Sequence, residues 1–156
     1  MKGPALLDIN LQVALFDPDH VHHELAHDWF ADNRTRGWAT CPITENGFVR
    51  VLSNPAYGGS ITRVTELAAR LRRFCASGFH VFWSDDVSIR DEATFHPELI
   101  AGHRQLTDIY LLGLAWRHEG TLATFGRKIS EKAIAGPAGS ALEVIAPADA
   151  DSRSLR

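Results

Sequence analysis

Cysteine is scarce in this chain, with two residues in 156, and that scarcity excludes whole classes of design. Cys41 and Cys75 lie too far apart for a metal knuckle or a redox pair, so both are expected as free, partly buried thiols in a reducing cytoplasm. A long apolar run is missing too. No stretch approaches the ~20 residues that a bilayer crossing takes, and the opening lacks the apolar core of a signal peptide. The expected setting is cytoplasmic, with no membrane partner. Nor is there an excess of one charge. Sixteen basic and 19 acidic side chains leave a formal net charge of -3, which argues against bulk attraction to nucleic acid and leaves room only for a local basic patch. What is present is a composition 45% hydrophobic and 22% charged, enough for one sizeable core and too short for two ordinary domains.

The chain is organised around its opening, Ala5–Phe16. Ala5, Leu6 and Leu7 make a short apolar run, Asp8 follows at once, and Ile9, Val13 and Phe16 recur at helical spacing. This reads as a buried strand ending in a carboxylate and running directly into a helix. Apolar spacing then predicts a surface helix over 21–34, a strand at 38–41, and a helix within 43–54 with Thr44 as its N-cap. A longer helix over 62–75 and a short strand at 79–83 follow. The stretch 93–102 is irregular, and 105–118 is apolar nearly all round, which predicts a helix covered on most sides. A strand at 121–125, a helix over 127–134 and a last strand at 141–147 complete one domain over 1–147, with a tail at 148–156. Strands separated by helices predict a mostly parallel sheet with helices on both faces.

Three acids interrupt apolar surroundings. Asp8 ends the first strand, Glu45 falls in the first turn of the helix after the second strand, and Asp108 lies between Leu106 and Ile109. Each has an ordinary reading as a cap or a first-turn charge. Together they describe a different situation, because three convergent carboxylates repel one another and are usually reconciled by a divalent cation. Oxygen donors without neighbouring cysteine favour Mg²⁺, with Mn²⁺ as a substitute. Such a group suits phosphodiester hydrolysis.

The segments LLDINLQVALFDPDHVHH, PITENGFVRVLSNP, GHRQLTDIYLLGLA and LATFGRKI resemble, in order and spacing, the four sequence blocks of the PIN-domain family. More narrowly they resemble the VapC toxins of bacterial toxin–antitoxin pairs. The resemblance implies a three-layer α/β/α sandwich and a Mg²⁺-dependent endoribonuclease toxin acting on RNA, with Asp8, Glu45 and Asp108 as catalytic and metal-binding acids. It also implies a homodimer neutralised by a small VapB-like antitoxin. One departure stands out. Where the family usually carries a fourth acid, in a T-F-D-R-like run, this chain has Thr124-Phe125-Gly126-Arg127. A glycine offers no side-chain ligand, so the alternative function is a catalytically weakened module that binds RNA or a protein. Glu131 or Ser130 nearby is a candidate replacement, and the glycine itself is open to a second reading, as a turn that needs positive φ. A related nuclease acting on structured DNA or in RNA processing is a further alternative.

Arg50, Arg104 and Arg127 are candidates for phosphate contacts. Asn10 and Thr44 are candidates for positioning substrate or water, and Trp38, Tyr57 and Trp83 suit either base stacking or packing. His23 to His27 spells H-E-L-A-H, the literal zinc-protease string, but on an amphipathic surface helix that lacks the buried context such a site needs.

Overall fold

Among the described residues, five short strands pair side by side, every pair parallel, in the order β3-β2-β1-β4-β5. The computed structural model describes residues 2–59, 63–126, 128–137 and 141–147. The strands are β1 (Ala5–Leu7), β2 (Trp38–Thr40), β3 (His80–Phe82), β4 (Thr121–Thr124) and β5 (Leu142–Val144). The helices are α1 (Ile9–Phe16), α2 (His23–Asn33), α3 (Pro42–Ser53), α4 (Val64–Cys75) and α5 (His103–Arg117).

Alternation along the strands splits the core in two. Leu6, Ala39 and Leu122 join Ile109, Leu111, Leu112 and Leu114 of α5 on one face. Ala5, Leu7, Trp38 and Ala123 pack with Leu11, Ala14, Ala26 and Phe30 of α1 and α2 on the other. A third cluster, including Val13, Phe48, Leu52 and Leu67, ties α1, α3 and α4 together. The result is the α/β/α sandwich expected from the sequence. Close approach on the α5 face depends on Gly113, since a Cβ there would stand 2.3 Å from the Phe95 ring.

Several boundaries differ from the sequence reading. Helix α5 starts at His103, so neither Thr107 nor Asp108 caps it; the N-cap is Gly102. Its first turn is also more open than expected, with Leu106 44% exposed. Helix α3 is capped by Cys41, and Thr44 instead occupies its third helical position, reaching back to accept a hydrogen bond from the Cys41 amide at 2.9 Å. Proline at the first helical position has already removed one unpaired donor there. The helix expected over 127–134 is only a 3-10 turn, Glu131–Ala133, because four polar or charged residues between Gly126 and Ile129 and at 130–131 supply no continuous apolar stripe. Thr62, Arg127, Ser140 and the tail from Ala148 fall outside the described residues.

Candidate functional site

The chain winds from β1 outward to β3, then returns to the other side of β1 for β4 and β5. The winding therefore reverses between β1 and β4. In an open parallel sheet the crevice beyond the carboxyl ends of the strands at such a reversal is where ligands bind. Asp8 stands there, one residue past β1.

Asp8 is 7% exposed. Its carboxylate caps α1 through the Ile9 amide at 2.8 Å and accepts a hydrogen bond from the Thr124 hydroxyl at 2.6 Å. Both readings of this residue hold at once: it is a helix cap and a buried acid at the crevice. Burial raises its pKa, against the opposing effect of those two hydrogen bonds. Asp108 lies in the second turn of α5 and is half-buried. Its pKa is raised by burial and then by the negative charge of Asp8. The Asp8 charge therefore adds to the effect of burial on Asp108, as a like charge does from across a crevice. Oxygen-only donors under mutual repulsion fit a hard divalent cation such as Mg²⁺.

Glu45 has contacts of its own. Its Oε2 accepts a hydrogen bond from the Thr40 hydroxyl at 2.7 Å, and the same hydroxyl lies 2.7 Å from His80 Nε2. Among the described residues, the three metal-ligating side chains that approach within 4.8 Å of one another are Glu45, Cys75 and His80. Asp8, Glu45 and Asp108 do not form such a group. Helix α3 follows β2 directly and packs against both α1 and α4, and the Glu45 side chain meets donors from the end of α4 and from β3.

Gly126 lies just beyond β4, on the Asp8 side. Its amide donates to the Thr124 hydroxyl at 3.0 Å, and that hydroxyl in turn donates to Asp8. Its φ lies outside the left-handed region, which removes the positive-φ explanation for a glycine here. A Cβ would meet Thr124 Oγ1 at 3.3 Å and the end of Ile129 at 3.4 Å, a tight fit needing shifts of a few tenths of an ångström. Glu131 belongs to the 3-10 turn that packs with Pro97–Leu99 and α5.

Of the remaining candidates, Asn10, Arg50 and Arg104 are exposed, and Arg127 is outside the described residues. Thr44 is fully buried, its hydroxyl engaged by the Cys41 backbone. Trp38 and Trp83 are core residues, and the Tyr57 hydroxyl donates to Asp17 at 2.5 Å. The H-E-L-A-H histidines have another use: His23 Nδ1 and His27 Nε2 each lie 2.7 Å from a carbonyl of α1, those of Ala14 and Leu15. They satisfy acceptors that the end of a helix leaves unpaired.

Gln12 escaped the sequence reading. It is fully buried four residues after Asp8, donates to the Leu7 carbonyl at 3.0 Å, and leaves its own Oε1 without a partner among the described residues. A polar residue in the buried stripe of α1 was the signal that could have found it.

Comparison with known proteins gives consistent relatives. Ribonuclease VapC44 of Mycobacterium tuberculosis is 44% identical over 132 residues, covering 85% of this chain and 92% of its own length. Ribonuclease VapC38 of the same organism is 46% identical over 121 residues, 78% of this chain and 84% of its own. Ribonuclease VapC39, again from that organism, is 39% identical over 132 residues, 85% and 95%. No family model matches the chain.

Proposed function

Starting from the premise that the chain belongs to the VapC family of PIN-domain ribonucleases, we propose that it binds RNA and hydrolyses it by a weakened, Mg²⁺-dependent endoribonuclease activity. What supports this reading is the buried Asp8 carboxylate at the sheet's winding reversal, near enough to Asp108 to raise its pKa, with Gly126 bonded to the same Thr124 hydroxyl that holds Asp8.

Asp8 and Asp108 would hold the cation. When bound, it supplies Lewis acidity toward a phosphodiester and lowers the pKa of a coordinated water. The rest is done by the chain. Thr124 fixes the Asp8 carboxylate from one side and the Ile9 amide from the other, so the acid is oriented before ligand arrives. Asn10, Arg50 and Arg104, all exposed, are assigned to the RNA backbone, together with Arg127. Thr44 acts indirectly, by fixing the start of α3. Glu45 would add a third carboxylate, its Oε2 held by the Thr40 hydroxyl. A pocket with two committed acids should lose turnover before it loses RNA affinity, because charge stabilisation is needed most in the transition state. The partners proposed are a VapB-like antitoxin and a second copy of the chain, in the cytoplasm.

A fully active toxin is the second reading, favoured by the ribonuclease names of the relatives. Parallel measurement of RNA cleavage and RNA binding, each with Mg²⁺, Mn²⁺ or EDTA, separates the two. Slow, EDTA-sensitive cleavage beside firm binding is expected, with cleavage lost in Asp8→Asn and binding kept. Cleavage that survives both EDTA and Asp8→Asn would overturn the proposal.

A further inference from the structure

Away from the Asp8–Asp108 pair, three elements converge on a second group of donors. Glu45 comes from the first turn of α3, Cys75 is the last residue of α4, and His80 is the first residue of β3. One ligand atom from each lies within 4.8 Å of the other two, and all three side chains are half-buried. The fully buried Thr40 joins them. Its hydroxyl donates to Glu45 and pairs with His80. Since that hydroxyl spends its one hydrogen on Glu45, His80 Nε2 must be the donor in their contact. A hydrogen bond from one ring nitrogen fixes an imidazole whose other nitrogen binds a metal, so His80 would ligate through Nδ1 while Nε2 stays on Thr40. The three also line a solvent-open groove of about 620 Å³, with Pro42, Val64 and Leu71 among its walls. Solvent and ions therefore have a path to them.

The donor chemistry differs from that of the acidic pair. Thiolate sulfur and imidazole nitrogen select a softer cation than Mg²⁺, and one sulfur, one nitrogen and one carboxylate oxygen together suit Zn²⁺. Tetrahedral bonds of about 2.0–2.3 Å put zinc donors about 3.3–3.8 Å apart. Closing from a separation of at most 4.8 Å needs adjustment of side chains, not of the backbone. We propose that Glu45, Cys75 and His80 form a zinc site, with the fourth coordination position open to the groove. This site stands whether or not the chain cleaves RNA, since it uses neither Asp8 nor Asp108. If the functional reading also holds, zinc and the acidic pair compete for Glu45.

Cobalt(II) is the probe, as a coloured substitute for zinc, added to the metal-free full-length chain. One equivalent should give the thiolate-to-cobalt charge-transfer band and visible bands of tetrahedral intensity. Zn²⁺ should bleach both. Cys75→Ser should lose the charge-transfer band, His80→Gln should weaken cobalt binding at least tenfold, and Asp8→Asn should keep the spectrum. A measurement on the unaltered chain guards against misfolded variants: Zn²⁺ at 100 times its Kd should slow alkylation of Cys75 about 100-fold, leaving only the ~1% metal-free fraction reactive. Absence of the charge-transfer band, its survival in Cys75→Ser, or unprotected Cys75 would each overturn the site. Failure of the ribonuclease reading would instead show as an absence of RNA cleavage beside an intact cobalt spectrum.

Discussion

At the scale of single residues, the proposed weakening of the pocket turns on Gly126. Its φ does not reserve the position for glycine, and an acid fits there once Thr124 Oγ1 and Ile129 give way by a few tenths of an ångström. Gly126→Asp is expected to raise Mg²⁺-dependent RNA cleavage at least tenfold while changing RNA affinity little. The new charge would stand near the Thr124 hydroxyl, which donates to Asp8. Metal-free protein should therefore lose about 1 kcal/mol of stability through carboxylate repulsion, and Mg²⁺ should return it. Cleavage rates and melting curves across a Mg²⁺ titration check both halves. A loss of stability that Mg²⁺ does not touch, with no gain in rate, would reject the missing-acid account.

At the scale of elements, the short strand β5 is secured from outside the sheet. Glu143 accepts from both terminal guanidinium nitrogens of Arg36 and from Thr121 Oγ1 at 3.0 Å, and lies 3.4 Å from the Trp29 indole nitrogen. Burial alone would raise its pKa, but Arg36 and Thr121 outweigh it and hold the carboxyl below its usual 4.5. A carboxylate with a lowered folded pKa contributes stability above its unfolded pKa and loses it as pH falls through the folded value. Glu143→Gln should cost about 1–2 kcal/mol near neutrality, between the worth of an exposed and a buried pair. The difference from the native chain should shrink as pH drops below about 4.5, as denaturant midpoints at several pH values would show. The close of α1 offers a second case. His27→Ala leaves the Leu15 carbonyl without its side-chain donor, an expected loss of about 1 kcal/mol in the same assay.

At the scale of the molecule, the two layers of core leave one sheet edge apolar. Val81 is 41% exposed and Phe82 53% on edge strand β3, with Phe79 at 54% just before it. An exposed edge of that kind offers both hydrogen-bonding groups and apolar surface to another chain. Self-association is therefore expected through β3 and the neighbouring α4. Phe82→Lys should shift the sedimentation of a dimer toward monomer without lowering the melting temperature by more than a few degrees. A monomeric native chain at micromolar concentration would remove the expectation.

The strand-to-helix opening, the parallel α/β class and the positions of all three acids were legible in the sequence, because they depend on local periodicity and on which residue ends each apolar run. Asp8 is the clearest instance: three apolar residues, one acid and an immediate helical pattern fixed both its cap and its place at a strand end. Partnership was not legible. Nothing local distinguishes an Asp108 that feels Asp8 from one that caps a helix, and the true start of α5 at His103 decided the matter. Glu45 shows the limit most sharply. Its helix was foreseeable, yet its neighbours Cys75 and His80 lie 30 and 35 residues away. Only the pairing of β2 with β3, and the packing of α4 against α3, turns the carboxylate toward Thr40, sulfur and imidazole. Strand order is set by the collective burial of two faces across the whole chain, and side chains distant in sequence meet only once that order exists.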